Sequence, residues 1–198
     1  MSKYILGSHN SWSYLKPRKW WMRLIAFTAR CQSATIIEQY TLYDVRCFDL
    51  RLLWDKKGNL IVAHGIVEYK YTEEILMNDL TFLNTRGDCY VRVLHEARNK
   101  KQYTHSSCVR FWGFCSFVEK KFSNIHWWCG RNLYNWNYDY KFFSQEPTCT
   151  EKYSSVCPPK YLDDWYPWLY ARLNNEKILQ QGTKEDIMLI DFVNIKEL

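Results

Sequence analysis

The chain has 198 residues, of which 47% are hydrophobic and 24% are charged. These values favour one soluble domain with a sizeable core, and 10 Trp, 15 Tyr and 10 Phe exclude a disordered chain. No apolar run approaches the roughly 18 residues of a membrane span, and the residues up to Gly7 are too polar for a signal peptide. We therefore expect a protein of the host cytoplasm, or a virion-associated one if the chain is of phage or viral origin.

The charge balance is mildly basic, with 27 basic and 21 acidic residues and a net charge of +6. This balance suits anionic partners such as phosphates or lipid head groups, and it is weaker than that of a dedicated nucleic-acid binder. We expect no nucleic-acid partner. The eight cysteines contain no C-x-x-C pair, which argues against a zinc site made of cysteines, and we expect them as thiols.

Short apolar segments predict about five strands, and an ionisable residue lies within or just after each of them. In chain order these segments are 4–6 before His9, 45–53 with Asp49 and Arg51, 60–63 before His64, 90–94 before Glu96, and 187–190 before Asp191. Helices are predicted over 31–43, 72–84, 108–123 and 162–179, and an irregular segment over 124–160.

Strands that alternate with helices predict a mostly parallel sheet, and functional residues at the carboxyl ends of several strands are typical of a (β/α) barrel. The predicted fold class is therefore α/β, a compact TIM-type barrel. Five strands instead of eight would leave that barrel incomplete. We expect a single domain over 1–198, with an aromatic and cysteine-rich insertion at about 105–160.

Four side chains at the strand ends suggest chemistry on a phosphate ester. His9 and His64 can act as general base and general acid, because an imidazole titrates near neutral pH. Arg51 offers a planar fork of donors to phosphate oxygens. A carboxylate such as Asp191, paired to a histidine, fixes the tautomer of that ring.

Three segments also resemble the X-domain of phosphatidylinositol-specific phospholipase C, in the same order and at similar spacing. Gly7-Ser8-His9-Asn10-Ser11 resembles its S-H-N/D signature, Val45–Arg51 resembles its V-R-x-x-D-L-R strand, and Val62–Gly65 resembles its x-x-H-G strand. The resemblance covers residues 4–95, about half of the chain.

The resemblance implies an irregular TIM-type barrel and cleavage of an inositol phospholipid. The inositol 2-hydroxyl would attack phosphorus and release diacylglycerol and a 1,2-cyclic phosphate. His9 matches the general base, His64 the general acid and Arg51 the phosphate-binding arginine. Asp191 would orient His9, and Asp49 would hold Arg51 or the first histidine.

The remaining candidate substrate contacts are Asn10, Glu96 and Arg98. The expected partner is an inositol-containing phosphodiester or phospholipid. Arg51 stands where the calcium-dependent branch of the family has a carboxylate, so the resemblance implies no metal cofactor. The alternative is a Ca²⁺ ion at Asn10, Asp49 and Glu96, since Asn10 is what the calcium branch has and carboxylate oxygens suit hard cations.

Some alternatives stay open. Trp20 and Trp21, among the cations of 16–23, predict either a peripheral membrane contact or a core pair beside a solvated basic turn. The aromatic stretch 124–143 predicts either a rim loop or an insertion that packs its own small core. A non-catalytic phage or viral structural or binding module would keep the fold without turnover. A glycerophosphodiester phosphodiesterase would need an E-x-D metal pair where this chain has Asp49-Leu50-Arg51.

Overall fold

The structure, a computed structural model, describes residues 4–96, 104–129, 150–153, 165–184 and 186–195. Eight strands form one sheet: β1 (Ile5–Ser8), β2 (Cys47–Trp54), β3 (Leu60–His64), β4 (Val67–Glu68), β5 (Tyr90–His95), β6 (His126–Cys129), β7 (Thr150–Tyr153) and β8 (Asp186–Ile190). Four α-helices accompany them: α1 (Ile36–Thr41), α2 (Glu73–Asn84), α3 (His105–Lys121) and α4 (Pro167–Gln180). Three short 3₁₀ helices cover Ser11–Tyr14, Trp20–Leu24 and Ala26–Thr28.

Six strands lie side by side in parallel, in the order β7–β8–β1–β2–β5–β6. The predicted α/β class with a mostly parallel sheet is therefore confirmed. Within the described ranges no pairing joins β6 to β7, so the sheet is not closed into a barrel there. No helix of these ranges is both long and apolar enough to cross a membrane.

The strand that carries His64 departs from the simple parallel pattern. β3 pairs antiparallel with the far end of β2, with Leu52 opposite Val62. The connection is a tight turn in which the Asp55 carboxylate accepts the backbone N–H groups of Lys57 and Asn59. Gly58 in this turn has φ +87°, a conformation that glycine adopts without strain. β2 and β3 therefore form a hairpin that folds His64 back beside the middle of β2.

The segment predicted to be irregular contains two strands, β6 and β7, so that prediction was wrong at 126–129 and 150–153. Trp127 and Trp128 in β6 are buried. The residues 130–149, which hold most of the predicted rim loop, lie outside the described residues. The role of that loop therefore stays a prediction.

The two chain segments that meet at the middle of the sheet are β1 and β8, and they pack closely. A Cβ placed on Gly7 would lie 2.5 Å from Cδ2 of Leu189. Since real Cβ atoms do not approach other atoms so closely, any residue larger than glycine at this point requires the Leu189 side chain to move. This close approach brings the end of β1, with His9, next to the end of β8, with Asp191.

Candidate active site

The ionisable residues predicted from strand ends converge at the carboxyl end of the sheet. The backbone N–H of His9 donates to Ile190 O at 2.9 Å, which continues the pairing of β1 with β8. The buried Gln32 side chain donates to His9 O at 3.1 Å and to Ile190 O at 2.9 Å. Gln32 therefore ties the two strand ends together, a role that no sequence pattern indicated.

His9 has a defined tautomer, because the partner of one ring nitrogen can only accept a hydrogen bond and the partner of the other can only donate one. Nδ1–H donates to Oδ1 of Asp191 at 2.7 Å, and Asp191 is fully buried. Nε2 lies 2.6 Å from Nη2 of Arg51, which can only donate. The neutral ring therefore carries its proton on Nδ1 and presents Nε2 as an acceptor, which is the form that a general base requires.

Asp49 is the charged centre beneath the site. Its carboxylate is fully buried and accepts from Arg51 Nε at 2.8 Å and from the backbone N–H of Asn10 at 2.9 Å. The other oxygen accepts from Arg92 Nη1 at 2.9 Å. Burial opposes ionisation, but the charges of Arg51 and Arg92 outweigh it and hold the pKa of Asp49 well below its usual range.

Arg51 contacts three site residues through different nitrogens of its guanidinium. Nε binds Asp49, Nη2 meets His9, and Nη1 lies 3.6 Å from a Glu96 carboxylate oxygen. Burial disfavours the charge of Arg51, but Asp49 and Glu96 outweigh this effect and raise the pKa of the guanidinium. Arg92, which the sequence analysis missed, is 1% exposed and compensates the second Asp49 oxygen. An arginine in the middle of the apolar run 90–94 was the available signal, because a buried cation needs a partner.

His64 faces His9 across the site. The two ring centroids are 5.4 Å apart, and the rings are nearly perpendicular at 85°. Nδ1–H of His64 donates to Ala29 O at 2.9 Å, and this carbonyl also accepts from the Tyr69 hydroxyl at 2.8 Å. Burial, together with the positive charge of Arg51, lowers the pKa of His64 to about 4. His64 is therefore neutral in the free protein at pH 7.

A cleft of about 460 Å³ opens above these rings. Its described lining consists of His9, Thr28, Ala29, Cys31, His64, Gly65, Ile66 and Trp165. Cys31, another residue that the sequence analysis missed, places Sγ 3.6 Å from Nδ1 of His64. A second cavity of about 810 Å³ lies beyond Glu96, between the β2–β3 hairpin and the start of α3.

The three predicted substrate contacts differ in where the structure places them. Asn10 is fully buried with φ +47°, and its side chain donates weakly to Ala29 O at 3.4 Å, so it lies behind the cleft wall. Glu96 accepts the backbone N–H of Gly65 at 3.1 Å and pairs with Arg51. Arg98 lies outside the described residues.

The carboxylates of the alternative calcium site interact with arginines in the described geometry. This site would use Asn10, Asp49 and Glu96, yet both oxygens of Asp49 already accept hydrogen bonds from arginines. The Glu96 carboxylate pairs with the same guanidinium of Arg51. A calcium ion at this position would have to displace the guanidinium of Arg51, and it would need about 6–8 oxygen ligands.

Residues 16–23, which contain Trp20, Trp21 and several cations, lie at the surface, and the chain continues from them toward the cleft. Trp20 is 75% exposed and Trp21 is 39% exposed, so the alternative of a buried tryptophan pair was wrong. Phe27 stacks on Tyr166 with ring centroids 5.7 Å apart, and the neighbouring Trp165 lines the cleft. We call the exposed side chains Trp20, Leu24, Phe27, Trp165 and Tyr166 the aromatic rim.

Solved structures of bacterial enzymes have a fold similar to that of this chain. The phosphatidylinositol-specific phospholipase C of Listeria monocytogenes aligns with a TM-score of 0.54 and 11% identity, covering 100% of this chain and 94% of that one. The enzyme of Staphylococcus aureus aligns with a TM-score of 0.54 and 12% identity, covering 97% and 87%. A mutant of the latter gives 0.55 and 12%, with 96% and 86% covered.

This chain has the phospholipase C fold of these structures. At such low identity the likeness shows the fold and leaves the chemistry to the site itself. No protein-family model matches the sequence, and no curated protein is similar to it. The similarity to the phospholipase C fold, a TIM-like barrel, confirms the predicted TIM-type fold class, with a sheet that is not closed within the described residues.

Proposed function

We propose that this protein cleaves an inositol-containing phosphodiester by attack of the neighbouring 2-hydroxyl on phosphorus. The observation that carries the proposal is the pair of imidazoles, 5.4 Å apart, with the Arg51 guanidinium against one of them. Two such rings on opposite sides of a phosphate can remove one proton and deliver another. The fold of the phospholipase C structures supports the same class of reaction.

His9 acts as the general base. In the free protein its Nε2 accepts an N–H of Arg51 at 2.6 Å. A phosphate oxygen is a stronger acceptor than an imidazole, so a bound diester takes over this N–H without a movement of the guanidinium. This releases Nε2 for the inositol 2-hydroxyl, while Asp191 holds the ring and stabilises the imidazolium that forms.

Arg51 binds the phosphate and stabilises its developing charge. Its position is held by Asp49, which is itself locked by Arg92 and by the N–H of Asn10. A preorganised donor that does not need to reorient is worth several kcal/mol in a transition state, roughly 3 or 4 in measured cases. Asp49, Arg92, Asn10 and Glu96 are therefore positioning residues that act through Arg51.

His64 acts as the general acid and protonates the oxygen that leaves with diacylglycerol. It must first take up a second proton, which burial and the charge of Arg51 disfavour in the free protein. A bound phosphodiester brings a negative charge next to the ring and offsets Arg51, so it raises the pKa of His64. Substrate binding therefore produces the protonated acid at the place where it is needed.

The reaction needs no metal ion in this proposal, because the guanidinium of Arg51 supplies the positive charge at the phosphate. The substrate is a phosphatidylinositol lipid, which suits the aromatic rim beside the cleft. Exposed indole rings settle at the head-group level of a bilayer, and the neighbouring Arg18, Lys19 and Arg23 attract anionic lipids. One of the similar structures concerns membrane binding of the Staphylococcus aureus enzyme.

The test is cleavage of a fluorogenic inositol phosphodiester and of phosphatidylinositol in vesicles, each with and without EDTA. We expect turnover that survives chelation and is lost in His9→Ala and in His64→Ala. Trp20→Ala combined with Leu24→Ala should weaken vesicle binding and lipid cleavage while leaving the soluble substrate unaffected. Loss of wild-type turnover on chelation would overturn the metal-free mechanism, and a folded protein inert toward every inositol phosphodiester would overturn the proposed reaction.

A further inference from the structure

Four groups that can bind a metal ion lie together: three of them line the cleft, and Asp191 is buried beneath it. One ligand atom each from His9, Cys31 and Asp191 lie within 4.8 Å of one another. The fourth group is His64, whose Nδ1 lies 3.6 Å from Cys31 Sγ. The phosphodiester chemistry described above uses both imidazoles and the carboxylate, but it gives no role to the thiol.

We propose that this cleft binds one Zn²⁺ ion through Cys31, His9 and Asp191, with His64 beside the fourth position, and that the bound ion switches the enzyme off. The regulatory part of this proposal rests on the proposed phosphodiesterase function, whereas the metal site itself does not. A thiolate with imidazoles and one carboxylate is a ligand set typical of zinc, while calcium and magnesium prefer oxygen ligands alone.

The charges of the site balance for a divalent ion. On binding, the S–H bond of Cys31 breaks as the Zn–S bond forms, and the thiol proton leaves to solvent. His9 binds through Nδ1, the nitrogen beside Asp191; the Nδ1 proton moves to Nε2, and the hydrogen bond that Nε2 accepts from Arg51 is lost. The thiolate and the Asp191 carboxylate then neutralise the two charges of zinc. The nearby charge of Arg51 is already compensated by Asp49 at 2.8 Å and by Glu96 at 3.6 Å.

The donor atoms are held in place before any metal arrives. The backbone N–H of Cys31 donates to Ser13 Oγ at 3.0 Å, and its carbonyl accepts the N–H of Phe192, the residue after Asp191. The thiol and the carboxylate are therefore fixed to each other through the backbone, and Cys31 also lines the open cleft. Tetrahedral zinc needs ligand distances of about 2.0–2.3 Å, so small side-chain movements are sufficient.

A zinc ion at this position is incompatible with turnover. His9 cannot accept a proton while it is a ligand, and Asp191 cannot orient it while it binds the metal. The ion also fills the floor of the cleft on which the phosphate would rest. We therefore expect zinc and substrate to compete, so that chelators restore activity or raise it.

The test uses the full-length protein, stripped of metal and kept reduced. Co²⁺ is titrated first, because a thiolate ligand gives it a charge-transfer band in the near ultraviolet, and Zn²⁺ is then titrated by calorimetry. We expect one equivalent of metal and a cobalt–thiolate band in the wild type. Cys31→Ser should lose the band and bind zinc at least roughly 100-fold more weakly, as expected for the loss of a direct ligand.

Activity provides the second measurement, with Cys108→Ser on α3 as the matched control. Without zinc, Cys108→Ser should cleave the fluorogenic substrate like the wild type. The zinc inhibition of each variant is measured relative to its own zinc-free rate, and only Cys31→Ser should resist it. Absence of the cobalt–thiolate band in the wild type, or equal zinc inhibition of Cys31→Ser, would overturn the proposal. If no phosphodiester is cleaved, the proposed function fails, whereas the cobalt and zinc titrations still decide the metal site. If the serine variant folds poorly, Cys31→Ala replaces it.

Discussion

The substitution Asp191→Asn tests the mechanism most directly, because it changes one hydrogen bond of the base and little else. In the wild type the buried carboxylate accepts Nδ1–H of His9 at 2.7 Å. An asparagine of the same shape can turn its NH₂ group toward Nδ1. The ring would then carry its proton on Nε2, the atom that has to accept a proton from the substrate.

The expected decrease in kcat follows from the two functions of the Asp191 carboxylate. It fixes the tautomer, and it stabilises the imidazolium formed on proton transfer. Loss of both in another enzyme with a carboxylate–histidine pair lowers kcat by about 10⁴. We expect a decrease in kcat of ~10³ to 10⁴, which corresponds to about 4–5.5 kcal/mol of barrier. KM should change little, because Arg51, which binds the phosphate, is not altered.

The assay is steady-state cleavage of the fluorogenic inositol phosphodiester, with kcat and KM determined separately. The matched control is Asp186→Asn at the other end of β8, where the carboxylate caps Thr183 and lies away from the cleft. It should lower stability and leave kcat within a few-fold of wild type. If Asp191→Asn keeps more than a tenth of the wild-type kcat, His9 is not a base oriented by this carboxylate.

Other predictions concern the remaining charged groups. Arg51→Lys should lower kcat by roughly 100-fold or more, measured in the same assay, because one ammonium cannot bind Asp49 and the phosphate in a fork. NMR titration of the His64 ring should give a pKa of about 4 in the free protein and a higher value in Arg51→Gln or with inositol 1-phosphate bound. Burial also lowers the pKa of His95 to about 4 from 6.5, so the unfolded chain takes up this proton first as the pH falls. Urea unfolding should therefore show stability lost between about pH 6.5 and 4, and less of that loss in His95→Phe.

The parts of the fold that could be predicted are those with a strong local pattern. β1, β2, β3, β5 and β8 are apolar runs, and α2 repeats its apolar residues at helical spacing. β6 and β7 were missed because they lie in an aromatic, polar stretch that has neither an apolar run nor alternation. Their strand structure depends on pairing with β5 and β8, which are distant in sequence.

The residues of the candidate site also divide into those that a local sequence pattern predicts and those that it does not. His9 and Asp191 follow parallel strands and Arg51 lies within a third, so the meeting of these three was predictable from parallel pairing. His64 ends the antiparallel β3, and the β2–β3 hairpin brings it to the site. The carbonyl of Ala29 and the side chains of Cys31 and Gln32 come from the irregular chain between the last 3₁₀ helix and α1. Nothing local in the sequence marks such residues, because only tertiary packing brings them to the strand ends.

The pairing of β1 with β8 has a consequence for the synthesis of the protein. His9 and Asp191 are 182 positions apart, yet they form one hydrogen-bonded pair. A nascent chain emerges from the ribosome with His9 first, and for most of translation the ring has no carboxylate to orient it. If the protein hydrolyses lipids, it stays inert until β8 has docked against β1. Partly made chains, and chains truncated before Asp191, would then lack an oriented base.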